Sequence, residues 1–310
     1  TDGGCPVLLT EPQSTNFITD SSLSNWGVSR SIINQNANIS PSGKNDAIAL
    51  VATAVSDDHS VNTTDTLPLG EVTYSVFAKQ GDKGWIRLWE TSTNIYAEFD
   101  IVNGVVGSTQ GLLTGTSIED YGNGWFRCSM TYSTLSAAAK SIRVYALFDD
   151  SIKNYLGDDV TEDVYLWGAQ LEELSYATSL IPTYGAVRTR LQDSVLGAGT
   201  SSDFNSEEGV LFIETSALAQ YTTADYFITL NNGASSNRVG IYFNTSNRIT
   251  AFIMSNGTTS VDISSGAIDF TQNNKVAFKY KLNDFALWIN GAEVGVELVG
   301  NSPIGLNQLD

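Results

Sequence analysis

Through most of this chain bulky apolar residues alternate with polar ones at a period of two, the spacing of a half-buried β-strand. Between residues 72 and 171 the runs EVTYSVFAKQ, KGWIRLWE, NIYAEFDI, NGWFRCSMTY, KSIRVYALF and DVYLWGAQL repeat the pattern, each bounded by Gly, Asn or Asp. Shorter strand signals precede them at 16–18, 26–28 and 47–54, the last followed by a polar stretch read as a loop up to Pro68. Helical periodicity is nearly absent. The organising stretch is 164–192. It opens as a closing strand with Tyr165 and Trp167 on one side, turns polar at Glu172 and Glu173, and continues to Pro182. Tyr176, Leu180, Ile181 and Tyr184 are too apolar to be left in water, so 172–192 is read as a strap anchored on the first domain.

Alternation also says which side chains share a face. Ile86, Leu88, Ile95, Ala97, Phe99, Ile101, Phe126, Cys128, Met130, Ile142, Val144 and Ala146 form an aliphatic set. Opposite them stand Trp85, Arg87, Trp89, Tyr96, Glu98, Trp125, Arg127, Arg143 and Tyr145. An outward sheet face is usually Thr, Ser, Lys and Glu. Rings interleaved with Arg and Glu suit a pyranose, whose apolar face stacks on an aromatic while its hydroxyls take hydrogen bonds. These nine residues are the candidate ligand-binding set. Two other readings stay open: the face is covered by another part of the chain or by a neighbour, or the strands belong to two sheets and the set divides.

Composition narrows the classes. With 42% hydrophobic residues and only 6 Pro, the 310-residue chain is ordered and long enough for two cores. A formal charge of −18 argues against nucleic acid and anionic membranes as partners, and suits neutral glycans. No apolar run approaches the roughly 20 residues of a membrane helix, and no signal peptide is present in a chain read as a processed or excised piece. Cys5 and Cys128 show no metal spacing. A buried free Cys128 is the simpler reading, a Cys5–Cys128 disulfide the other. The single histidine, His59, is read as exposed in an acidic loop, DDHS. It leaves no room for a His-rich metal site, and any Ser-His-Asp triad would have to run through it. The pairs Asp57-Asp58, Asp149-Asp150 and Asp158-Asp159 are read as solvated loops. No cofactor is expected, structural calcium being the one option they leave open.

The segments CPVLLTEPQSTN, TYSVFAKQG, YAEFDIVNGVVG, IEDYGNGWFRCSMT and DVYLWGAQLEELSYATSLIPT resemble a jelly-roll module recurrent in bacteriophage tail, fibre and other virion surface proteins, with related modules in secreted polysaccharide-active proteins. The resemblance covers roughly 5–193 and is most specific at GNGWFR and WGAQLE. It implies a carbohydrate-binding-module-like sandwich and, in phages, adhesion to a host. It carries no catalytic residues and no fixed ligand contacts.

After 194–208, read as a linker, come GVLFIET, DYFITL, NRVGIYF, RITAFIM, TSVDIS, KVAFKYK, FALWIN and GAEVGVE, with hairpin turns at 281–284 and Asn290-Gly291. EEGVLFIE and KVAFKYKLNDFALWINGAEVG resemble a laminin-G or concanavalin-A-like sandwich, here expected to be truncated or completed by another chain. Glycosidases of that fold carry E-x-D-x-x-E. The nearest match, Glu98 to Asn103, lies in the wrong domain and ends in Asn.

The expectation is therefore all-β: two consecutive antiparallel β-sandwiches, a jelly roll over 16–193 after a lead-in at 1–15, and an incomplete laminin-G/concanavalin-A-like domain over 209–310. The expected function is non-enzymatic adhesion to host-surface or extracellular polysaccharide by a phage virion protein. Its place would be the virion surface or the extracellular space, with other virion proteins or further copies of the chain as partners and no membrane insertion. The alternatives are an accessory region of a secreted polysaccharide-degrading enzyme and a purely structural virion decoration.

Overall fold

Alternation becomes strand throughout. The computed structural model describes residues 8–219 and 226–310, and among them there is no α-helix. The chain divides into two compact units, Thr1–Asp193 and Ser194–Asp310.

Along the first unit run β1 (Ser14–Asn16), β2 (Gly27–Ser29), β3 (Ser31–Ile39), β4 (Asn45–Ala52), β5 (Ser56–Leu67), β6 (Gly70–Gln80), β7 (Trp85–Glu90) and β8 (Ile95–Asp100). They are followed by β9 (Val105–Gln110), β10 (Leu113–Asp120), β11 (Trp125–Thr134), β12 (Ala138–Leu147), β13 (Asn154–Leu156), β14 (Glu162–Glu172) and β15 (Arg188–Arg190). One sheet has the order β10-β11-β6-β14-β4-β3; the other has β13-β5-β12-β7-β8-β9, with β2 also on β5. A two-stranded ribbon joins β1 to β15. The strand pairings among the described residues are antiparallel, and one core fills the space between the two large sheets. The alternation places its members correctly: Ile86, Leu88, Ala97, Phe99, Cys128, Met130, Ile142, Val144 and Ala146 are all fully buried in it. Each large aliphatic side chain removed from water contributes about 1.5–3 kcal/mol. Burial also pushes the Cys128 thiol well above its ordinary range; it is a free cysteine. Cys5 lies outside the described residues.

The polar stretch before Pro68 corrects the loop reading. It is β5, paired on one side to β12 and on the other to β2 and β13. Its composition hides it because its buried positions are largely polar. Asp65 accepts hydrogen bonds from the Thr19 amide and from the Thr19 and Thr63 hydroxyls. His59 is fully buried rather than an exposed loop residue, and Asp57 and Asp58 lie in the strand as well.

Glu172 and the segment after it are tied down by buried polar groups. The Glu172 carboxylate accepts from Ser14, Gln170 and Thr178, and Gln170 accepts from the Ile181 amide. Ile181 and Thr183 are buried, whereas Tyr184, read as too apolar for water, is 77% exposed.

The second unit contains β16 (Glu208–Thr215), β17 (Tyr226–Asn231), β18 (Arg238–Phe243), β19 (Arg248–Ser255), β20 (Thr258–Ala267), β21 (Asn274–Lys281), β22 (Phe285–Ile289), β23 (Ala292–Glu297) and β24 (Gln308–Leu309). Its sheets, β16-β21-β22-β23 and β20-β19-β18-β17-β24, enclose a core that includes Val239, Ile241, Ile253, Val276, Phe278, Phe285 and Leu287. Asn290 and Gly291 both have positive φ, 51° and 84°, as a type I′ hairpin turn requires. The stretch expected as a linker takes part in this unit: Ala198 bridges to Leu309.

Candidate functional site

The nine candidate residues do not share one face. Trp125 and Arg127 lie on β11, in the six-stranded sheet, while the other seven lie on β7, β8 and β12 of the sheet opposite. Alternation fixes a side chain's face within its own strand but not the sheet that strand joins.

On the six-stranded sheet the outer face is closed by the chain itself. Trp125 is 2% exposed, and its indole N–H donates to the Ile39 carbonyl at 2.9 Å. Phe77 meets Tyr121 edge-on at 4.8 Å and Trp167 at 5.2 Å. Leu180 packs against the same cluster. The Arg127 guanidinium lies 5.1 Å from the Phe77 ring and donates to the Ser75 hydroxyl. This is a small satellite core. Trp125 and Arg127 of GNGWFR and Trp167 of WGAQLE belong to it.

The seven-stranded sheet holds two parallel rows. The first, Ser60–Tyr145–Arg87–Glu98, follows the registers of β5, β12, β7 and β8. Arg87 donates through Nε to Glu98 at 2.7 Å, with a second contact from Nη2; Arg87 is 6% exposed and Glu98 fully buried. The 148–153 connection folds onto this row. The Ser151 amide donates to Glu98 at 2.5 Å, and the Asp150 carboxylate accepts from the Ser108 amide and hydroxyl, both at 3.0 Å. Burial, then the neighbouring Asp150 carboxyl, raises the Glu98 pKa against the opposing pull of Ser151 and Arg87. The hydrogen bond with Glu98, then those from Ser108, lowers that of Asp150. Of the two carboxyls, Glu98 is the weaker acid.

The second row, two residues along each strand and on the same face, is Asn62–Arg143–Trp89–Tyr96–Gln110 on β5, β12, β7, β8 and β9. Its first four residues are half-buried and Gln110 is exposed. Trp89 lies 6.1 Å from Tyr96 and 5.4 Å from Tyr145. The Arg87 guanidinium sits 4.1 Å from the Tyr96 ring, and Lys153 Nζ 5.8 Å from Trp89. Arg143 donates from Nη1 to the Tyr145 hydroxyl at 3.2 Å. Among the described residues, the Trp89 indole N–H and Arg143 Nε are buried donors with no hydrogen-bond acceptor. Gly27, paired opposite Asn62, leaves it room: a Cβ there would come within 3.0 Å of Asn62 Oδ1. Trp85 stands apart, its ring against Gly107, where a Cβ would lie 2.5 Å away.

Asn62, Gln110 and Lys153 escape a reading based on aromatic alternation. Asn62 lies in the polar stretch taken for a loop, and β9 has too little apolar character to register as a strand. No group of three or more His, Cys, Asp or Glu residues among those described is placed to hold a metal ion. The second unit has a shallow recess of about 220 Å³, lined by Thr229, Asn231, Arg238 and Asp310 among others.

No family model matches the chain, and no curated protein matches it. Among solved structures it is similar to the mouse laminin alpha1 chain, domains LG4-5, at 9% identity over 80% of this chain and 78% of that one, with a TM-score of 0.26. It is also similar to the LG1-3 region of the laminin alpha2 chain, at 11% identity over 82% of this chain and 57% of that one, with a TM-score of 0.21. Likenesses of this depth carry no argument about a site.

Proposed function

We propose that the first unit is a non-enzymatic glycan-binding module whose contact surface is the row Asn62–Arg143–Trp89–Tyr96–Gln110. The observation that carries this reading is the row itself: two adjacent half-buried rings flanked on each side by an amide, with a guanidinium between Asn62 and Trp89. Strands stand about 4.8 Å apart, so the row spans ~19 Å. That length suits an extended saccharide crossing the strands, its ring faces on Trp89 and Tyr96 and its hydroxyls toward Asn62, Arg143 and Gln110. The charge of −18 favours a neutral polysaccharide over an acidic one. The finer reading, drawn from the sequence resemblance, is adhesion of a phage virion surface to host polysaccharide. An accessory region of a polysaccharide-degrading enzyme would use the same surface. The burial of Arg87, Tyr145 and Glu98, the last also held by the Ser151 amide, favours a second reading for that part of the face, in which those three residues are structural.

The test is retention of the full chain on a panel of immobilised neutral and acidic polysaccharides. Binding to at least one neutral polysaccharide is expected, weakened roughly tenfold by Trp89→Ala, the loss of one stacking ring. No retention on any polysaccharide, or unchanged retention by Trp89→Ala and Tyr96→Ala, overturns the proposal.

A further inference from the structure

The only histidine in the chain is held in a way its neutral form cannot satisfy. His59 is fully buried on β5. Its Nδ1 lies 2.5 Å from the Arg30 carbonyl oxygen and its Nε2 3.0 Å from the Tyr155 carbonyl oxygen. A peptide carbonyl only accepts, and a neutral imidazole has one N–H. Both contacts are hydrogen bonds only when the ring carries two protons. In the neutral ring one nitrogen would turn a lone pair toward a carbonyl oxygen.

The surroundings are charged on every side. From the turn before β3, Arg30 contacts Asp57 and Asp58. From the 148–153 connection, Lys153 pairs with Asp58 at 2.9 Å. On β14, Asp163 is 3% exposed, accepts from the Ala52 amide and lies 3.8 Å from Lys83. Lys83 in turn stands 5.0 Å from the Tyr155 ring and 5.8 Å from the Phe148 ring, with Asp82 beside it. The Tyr155 ring stacks at a tilt on His59, 4.6 Å between centroids.

The two contacts of His59 differ in consequence. The Arg30 carbonyl is fixed between strands and also accepts from the Thr53 amide and hydroxyl. The Tyr155 carbonyl belongs to β13, three residues long and, among the described residues, paired only to β5. β13 directly follows the 148–153 connection that lies on the Arg87–Glu98 pair. We propose that His59 is a proton-dependent latch: doubly protonated, it holds β13 and so keeps 148–153 closed over the buried row beside Trp89. Raising the pH removes the Nε2 proton, because Nδ1 has the shorter contact, and leaves the Tyr155 carbonyl facing a lone pair. The latch weakens as pH rises and tightens as it falls. Opening would expose Glu98 beside the row that holds Trp89 and enlarge the surface offered to a ligand. That last consequence rests on the glycan-binding reading; the latch does not.

One histidine makes the test direct. In the ¹⁵N-labelled full chain, long-range ¹H–¹⁵N correlation reports both ring nitrogens without assignment ambiguity, between about pH 5 and 8. The expected result is two protonated nitrogens at the acidic end and loss of the Nε2 proton as pH rises. With that loss, hydrogen-exchange protection at 148–156, corrected for intrinsic rates, should fall roughly tenfold, the scale of a lost charged hydrogen bond. Protection at 95–100 should hold. A single protonated nitrogen at the acidic end overturns the proposal, as does deprotonation that leaves 148–156 unchanged. His59→Gln should abolish the pH dependence at 148–156; where that variant does not fold, the wild-type measurement decides. A latch that titrates in a chain retained by no polysaccharide would leave the latch standing and remove the glycan reading.

Discussion

The two outer faces of the first unit were built from the same kinds of residue and met different fates. On the six-stranded sheet, Trp125, Phe77, Arg127 and Trp167 are roofed by Tyr121, Leu180 and the end of β3, and three of the four are under 5% exposed. On the seven-stranded sheet a short connection covers only the Arg87–Glu98 row and leaves Trp89, Tyr96, Arg143 and Asn62 half-buried. An aromatic outer face is thus ambiguous by itself. A covering segment turns it into core, and the lack of one leaves a surface that a ligand can use.

The sharpest way to break this contrast is to truncate one ring on each face. Trp125→Ala should cost about 3–5 kcal/mol in chemical denaturation, the range for a fully buried aromatic, because it empties the satellite core and strands the Ile39 carbonyl. Trp89→Ala should cost only about 1 kcal/mol, with its effect concentrated on polysaccharide retention. Equal destabilisation by the two would show that both faces are core.

Within the covered row, Arg87→Met should cost about 3–5 kcal/mol, since it leaves the fully buried Glu98 carboxyl without its cation. A loss below about 1 kcal/mol would mean the pair behaves as a surface ion pair. The sandwich interior supplies the control. The Tyr74 and Tyr132 hydroxyls are buried without a hydrogen-bond partner among the described residues, and burial drives both pKa values well up. Tyr74→Phe and Tyr132→Phe should therefore change stability by less than about 1 kcal/mol, or raise it. A large loss for either would reveal a partner for these hydroxyls.

The smallest expected effect is on acid sensitivity. Asp158 accepts from the Val160 and Thr161 amides and the Thr161 hydroxyl, which lower its pKa from 3.8 to about 2. Because the folded value lies below the unfolded one, its contribution is complete above pH 3.8 and fades as pH falls toward 2. Asp158→Asn should remove that contribution, lowering stability slightly above pH 3.8 and hardly at all near pH 2, so that the acid-unfolding curve flattens in that window.

The β-strands from 72 to 171 and in the second unit, their aliphatic faces and the Asn290-Gly291 turn were legible in the sequence, because period-two alternation and turn chemistry are local. β5 was not. Its buried positions include His59 and Asp65, whose side-chain hydrogen bonds join them to Arg30, Tyr155 and Thr19 in distant parts of the chain, so no local pattern marks them as interior. Tyr184 failed in the other direction, apolar enough to expect cover yet left outside.

What the sequence by itself determined was which side chains leave the aliphatic core together on each strand: Trp85, Arg87 and Trp89 on one, Trp125 and Arg127 on another. Only the tertiary structure decided that these two groups belong to different sheets, that one is sealed by Leu180 and Tyr121, and that Asn62 and Gln110 complete the other. The physical reason is range. A side chain's direction follows from the backbone geometry of its own strand, whereas strand order and cover depend on contacts between residues far apart in the chain.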